Sequence, residues 1–313
     1  MRRPDVTSRG MRVFPHDELT YYVFGVRAGV RNLAANGSQL GFRKTVGKIT
    51  QPVNAPSRFP EYHWFATAIT DYLAASPAGR RLKVLDVGSP KLLGLYLGHA
   101  TTADLMLTDI TDLNLDEYRI MWRAFQRDAH GTVEFGRQDA RSLQLPDTAF
   151  DIVYSMSVIE HVEGDAADGQ AVRELLRVLK TGGLLIVSVP FGPTYMEQQR
   201  IGVEGAARRT GDRGAYFFQR IYDARAFQAR IMAHADLERV QVTTVARRHA
   251  WLARGFGALG ENVRGLLGFL NPILSAAINT TTPGIHEAFS TRYGPLHRAS
   301  DVYGDLILVG QKR

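Results

Sequence analysis

Three aspartates at the ends of apolar runs, one tight turn and one Glu-His pair carry the chemistry open to this sequence. Asp86 and Gly88 lie in VLDVGSPKLLGLYLG, residues 84–98, which reads as a buried strand, a turn and the opening of a helix. Within it Ser89 is a natural N-cap and Pro90 suits the first helical position, where a missing N–H costs nothing. Lys91 then offers a cation to a ligand's carboxylate. Asp109 closes the apolar run LMLTDI, Asp139 and Ala140 follow a third run, and Glu160 and His161 follow a fourth. An imidazole titrates near neutrality, so His161 is the candidate general base, with Glu160 as its neighbour. Arg220 and Tyr222, in RGAYFFQRIYDARAF (213–227), are candidate contacts for the molecule acted upon, or else part of a helix start with a buried staple.

The elements that must position these residues follow from hydrophobic period. Helical spacing appears over 61–75, 91–97, 115–129 and 171–179, the last stopping at the Thr181-Gly182-Gly183 turn. Strand-length apolar runs appear at 82–87, 105–108, 132–135, 150–156, 184–189, 240–245 and 306–309. Such alternation predicts an α/β fold, a doubly wound and mostly parallel sheet with helices on both faces. Ligands bind such sheets at the carboxyl ends of the strands. The expected organisation is a basic N-terminal extension over 1–60, a core over 61–249 and 300–313, and an insertion over 250–299. That insertion is too long for an ordinary connection, which suggests a lid or substrate element.

Composition excludes several classes. With no cysteine among 313 residues there is no disulfide framework, thiolate metal site or cysteine nucleophile. No stretch approaches the roughly 20 apolar residues that span a bilayer, and Met1-Arg2-Arg3 leads into no apolar run, so the expected location is the cytoplasm. The balance of Lys and Arg against Asp and Glu is +7 over 1–60, −7 over 61–199 and +7 over 200–313. Two basic additions around an acidic centre suit an anionic partner, a solvated basic surface being the plain alternative. The apolar stretch 265–277 is too short to span and is interrupted by Asn271-Pro272; it suits core closing over a site, or an interfacial helix pair in contact with a membrane surface. No nucleic-acid-binding module is visible.

The dinucleotide fingerprint G-x-G-x-x-G is absent after the first strand. The stretch instead resembles the first motif of class I S-adenosylmethionine-dependent methyltransferases, an acid followed by x-G-x-G-x-G. Asp86 and Gly88 match it, while Pro90 and Leu92 stand where the second and third glycines would be. Further along, GRQDARSLQLPDTAFDIVYSMSVIEHV (136–162) is similar to the family's adenine-side segment, and LKTGGLLIVSVP (179–190) to its Gly-Gly turn and fifth strand. The resemblance implies S-adenosylmethionine as cofactor, with Asp86, Gly88, Ser89 and Lys91 at the turn. It implies Asp109 on the ribose hydroxyls, Asp139 on the adenine amino group and the Ala140 N–H beside it. The family's metal-assisted variant uses Glu-x-x-Glu-His, whose first Glu is Ser157 here, so no metal is expected. With no cysteine nucleophile and no Asn/Asp-Pro-Pro-aromatic motif after the fourth strand, the acceptor expected is an oxygen, with aliphatic nitrogen or carbon left open, on a small or lipid-linked metabolite for which the basic additions suit an anionic group. A non-catalytic scaffold and a peripheral membrane-binding protein are the alternatives.

Overall fold

The computed structural model describes residues 58–201, 214–247, 279–285 and 304–313, with the helical residues Arg27, Arg31 and Ala34. From α1 (Arg58–Ala75) onward helices and strands alternate. β1 (Lys83–Val87) leads to α2 (Leu92–Ala100), and β2 (Asp104–Asp109) to α3 (Asp112–Arg123). β3 (Thr132–Arg137) and β4 (Phe150–Met156) follow, then α4 (Ala167–Val178) and β5 (Leu179–Phe191). After them come β6 (Met196–Ile201), β7 (Ala215–Ile221), α5 (Ala224–Arg230), β8 (Leu237–Arg247), β9 (Asn279–Pro283) and β10 (Gly304–Lys312).

Eight strands form one sheet in the order β3-β2-β1-β4-β5-β10-β8-β9. β3, β2, β1, β4 and β5 pair in parallel, whereas β10 runs antiparallel to both β5 and β8. β1 and β4 lie in the middle, and their sequences show it. All seven residues of β4 are buried, as are the last four of β1, because strands covered on both faces read as continuous apolar runs. One face of the sheet packs under α1, α2 and α3 through Phe65, Ile69, Leu93, Tyr118 and Met121. The other packs under α4 and α5 through Val172, Leu175, Phe227 and Ile231. The sheet is doubly wound, as the alternation predicts. Chain direction switches sides between β1 and β4, which opens a crevice at the carboxyl ends of those strands.

Three local expectations change. β5 starts at Leu179 and runs through the Gly-Gly pair, where a register shift lies between Phe150 and Ile152 on β4, so α4 stops at Val178 without a separate turn. Residues 215–221 form a strand, β7, which pairs antiparallel with β6 outside the main sheet, and the helix start expected within 213–227 follows it at Ala224, capped by the Asp223 side chain. Within 250–299 the described part, β9, is an edge strand on β8. The remainder of that insertion, including 265–277, and nearly all of the 1–57 extension lie outside the described residues. Arg31 is described: its guanidinium meets Asp128 at 2.7 Å beyond α3. Among the described residues no helix is long and apolar enough to cross a membrane, and no cluster of His, Asp and Glu could hold a metal.

Candidate active site

The turn after β1 is built around Gly88, whose φ of +73° lies in the left-handed region. A Cβ there would stand 2.6 Å from Val158 Cγ1, so the position needs glycine for space as well as for conformation. Asp86 is fully buried beneath the turn, and its Oδ1 accepts from the Ser89 N–H at 3.0 Å and from Lys91 Nζ at 2.8 Å. Burial pushes the Asp86 carboxyl up to about 6, against the opposing pull of the Lys91 ammonium. Two expectations are corrected here. Ser89 does not cap a helix: α2 begins at Leu92, and Ser89 Oγ accepts from the Met156 N–H at 2.9 Å, stitching the turn to β4. Lys91 does not reach outward to a ligand carboxylate. It is 1% exposed, folded inward onto Asp86 and the Ser89 carbonyl, because a buried acid next to a flexible cation draws it in.

Asp109 stands at the carboxyl end of β2, partly exposed. Its Oδ1 accepts from the Thr111 N–H at 3.1 Å and its Oδ2 from Asn114 Nδ2 at 3.4 Å, which ties it to the start of α3. Beside it Ile110 and Leu113 are 56% and 68% exposed, an apolar edge next to an acid. Sequence reasoning missed this pair, although Ile and Leu flanking a strand-end aspartate were there to be read. Asp139 is less available than expected. It accepts from the Arg141 N–H at 2.9 Å and pairs with the Arg141 guanidinium at 2.6 Å, which holds its carboxyl below the usual range. Ala140 is half-buried and packs on the core beneath.

After β4 the backbone turns sharply. Ser157 has φ +50°, uncommon for any residue with a Cβ, and Ile159–His161 form a single 3-10 turn. This brings Glu160 and His161 together, with His161 Nε2 3.7 Å from Oε1 of the buried Glu160. His161 Nδ1 lies 2.6 Å from the Phe218 carbonyl oxygen on β7. A carbonyl can only accept, so Nδ1 carries the proton and Nε2 the lone pair in the neutral ring. Ser157 is itself gripped by Glu61 of α1, 2.7 Å from its hydroxyl, a buried acid that no local pattern flags.

Arg220 and Tyr222 contact protein and not an open pocket, which corrects their expected role. Arg220 is 1% exposed and donates from Nη1 to the Val162 carbonyl and from Nη2 to the Gly164 carbonyl, each at 2.6 Å. The Tyr222 hydroxyl donates to Asp168 at 2.9 Å, and Arg230 pairs with the same carboxylate at 2.7 Å. Both residues therefore hold the stretch 162–168 against β7. Their chemistry is that of a tether: a planar guanidinium satisfies two loop carbonyls at once.

The strand ends β1, β2 and β4 thus gather a glycine turn, an acid with an apolar edge and an acid–imidazole pair. Residues 85–187 match the model of a methyltransferase domain family. This stretch, β1 to β5, is similar to a methyltransferase domain, in line with the resemblance that its motifs carry. Over 151 residues the chain is 29% identical to 27-O-demethylrifamycin SV methyltransferase of Amycolatopsis mediterranei, covering 47% of this chain and 52% of that protein. It is 31% identical over 135 residues to a probable S-adenosylmethionine-dependent methyltransferase of Mycobacterium tuberculosis, covering 43% and 45%. It is 36% identical over 89 residues to the ubiquinone/menaquinone biosynthesis C-methyltransferase UbiE of Ectopseudomonas mendocina, covering 28% and 32%. The chain therefore spans about half or less of the length of these curated relatives.

Proposed function

We propose that this protein transfers a methyl group from S-adenosylmethionine to an oxygen of a small or lipid-linked metabolite that carries an anionic group. The observation that carries the reading is that Gly88, Asp109 and the 157–161 turn stand at the carboxyl ends of the neighbouring strands β1, β2 and β4, inside the stretch that matches a methyltransferase domain. The residues present fit the cofactor: the left-handed Gly88 turn stands at the carboxyl end of β1, Asp109 offers carboxylate oxygens for ribose hydroxyls, and Ile110 offers an apolar edge to a purine. Asp139 and the Ala140 N–H remain the proposed adenine-side contacts.

The cofactor supplies a methyl group bound to a positively charged sulfur, open to in-line displacement. The protein's part is proximity, alignment and removal of the acceptor's proton. His161 Nε2 takes that proton. The ring is held in the needed tautomer by the Phe218 carbonyl, and the buried Glu160 carboxyl, 3.7 Å from Nε2, lies close enough to favour the imidazolium that forms. An anionic acceptor is supported by Arg200, exposed on β6, whose guanidinium lies 3.1 Å from the centre of the Phe218 ring. That ring meets His161 edge to face at 5.1 Å, so a single phenyl separates the cation from the base. Oxygen as the acceptor atom is supported by the likeness to the demethylrifamycin enzyme.

One observation favours a second reading, a methyltransferase fold kept as a non-catalytic scaffold. Asp86 and Asp139 are already paired with Lys91 and Arg141. The test is methyl uptake from labelled S-adenosylmethionine across a panel of hydroxylated acceptors with and without a carboxylate or phosphate. The proposal expects label on an acidic hydroxyl compound. Label on carbon would overturn the choice of acceptor atom, and no transfer together with no binding of S-adenosylhomocysteine would support the scaffold.

A further inference from the structure

Glu61 stands 96 residues from Ser157 and 127 from Ser188 along the chain, yet its Oε1 accepts from both hydroxyls, at 2.7 and 2.6 Å. Ser188 Oγ in turn accepts from the Ser157 N–H at 3.0 Å. The result is a closed ring of hydrogen bonds, N–H of Ser157 to Ser188 hydroxyl to Glu61 carboxyl, and back to the Ser157 hydroxyl. Both the backbone and the side chain of Ser157 are inside it. Glu61 is 1% and Ser188 0% exposed, so water does not compete for these bonds.

What the ring holds is an unfavourable conformation. Ser157 sits at φ +50°, and a left-handed residue with a Cβ persists only where its surroundings over-determine it. The reversal at Ser157 throws Val158 against Gly88 and starts the turn that places Glu160 and His161. From the far side the same loop is tethered at Val162 and Gly164 by Arg220. We infer that Glu61 is a positioning residue of the active site: by clamping Ser157 in the left-handed region, it sets His161 against the Phe218 carbonyl and Val158 over the Gly88 turn. The clamp stands on geometry alone; its consequence for methyl transfer rests on the function proposed above.

The test reads the apo protein. In 15N-histidine-labelled protein the His161 signals, assigned by their loss in His161→Gln, report the Nδ1–H tautomer. Removing the clamp frees a conformation disfavoured by about five- to thirtyfold. Glu61→Ala should therefore leave the His161 signals averaged between tautomers. Glu61→Gln, which keeps an acceptor oxygen, should restore most of the wild-type spectrum. Ser157→Ala should behave like Glu61→Ala, while Ser157→Gly should be milder although it removes as many bonds, because glycine adopts positive φ without penalty. In the Ser157→Gly background Glu61→Ala should cost less than in wild type. An unchanged His161 tautomer in Glu61→Ala, with a lower melting temperature, would overturn the inference and leave Glu61 as a group that only docks α1. If Glu61→Ala does not fold, Ser157→Ala against Ser157→Gly decides, and equal spectra for the two would overturn it. None of these readouts needs cofactor, so failure to bind S-adenosylhomocysteine would count against the proposed function and not against the clamp.

Discussion

Replacing Lys91 with Met removes a charge from under the turn after β1 while leaving its volume filled. Lys91 and Asp86 are 1% and 0% exposed, with Nζ 2.8 Å from Oδ1. Without the ammonium the carboxylate is buried and uncompensated, a change that costs about 3–5 kcal/mol. The cost carries a pH signature. The folded-state value of Asp86, about 6, lies above its ordinary 3.8, so the folded protein binds that proton more readily than the unfolded chain. The stability this brings is fully present below the ordinary value and is lost as pH rises through about 6. Loss of Lys91 raises the folded value further and moves the window upward. Lys91→Met should thus lose about 3–5 kcal/mol against wild type at pH 8, and much less at pH 5, where a protonated Asp86 needs no cation. Urea unfolding followed by circular dichroism at the two pH values measures the difference. Equal losses at both would refute the account of a charged pair holding the turn.

Two further outcomes are expected. Gly88→Ala should lose most S-adenosylhomocysteine affinity, since it adds the left-handed penalty to a 2.6 Å clash with Val158; Gly79→Ala, with φ +79° and nothing within 4 Å, is the control that keeps affinity. Calorimetric titration distinguishes them, and equal affinities would remove the glycine turn from the site. His161→Ala should keep S-adenosylhomocysteine affinity yet lose roughly 100- to 10,000-fold in turnover on an oxygen acceptor. The wild-type rate should fall toward acid pH, because a protonated imidazole cannot accept a proton. A near-wild-type rate in the variant would leave proximity alone to account for transfer.

The sheet was legible because β1, β4 and β5 are buried on both faces, which writes itself as unbroken apolar runs, and because helical spacing separates them. Gly88 was legible from turn chemistry. Where side chains point was not: the five-residue spacing between Asp86 and Lys91 says nothing of whether a flexible cation turns outward or folds back onto a buried acid. The β6–β7 pairing was missed because a register shift between Gln198 and Gln199 breaks its alternation, leaving only the helix start at Ala224 to be read within 213–227. Arg220 and Tyr222 then appeared as substrate contacts, when strand geometry turns them toward the 162–168 stretch and Asp168. Glu61 escaped for another reason. Its partners are so far along the chain that only the folded sheet brings them together.

The central claim is a cofactor site at the carboxyl ends of β1 and β2, and calorimetric titration of S-adenosylhomocysteine into wild type and Asp109→Ala tests it most directly. The account predicts one-to-one binding by the wild type and a loss of about 1.5–3 kcal/mol in the variant, the scale of hydrogen bonds to a charged group. No binding by the wild type, or an unchanged dissociation constant in Asp109→Ala, would contradict it.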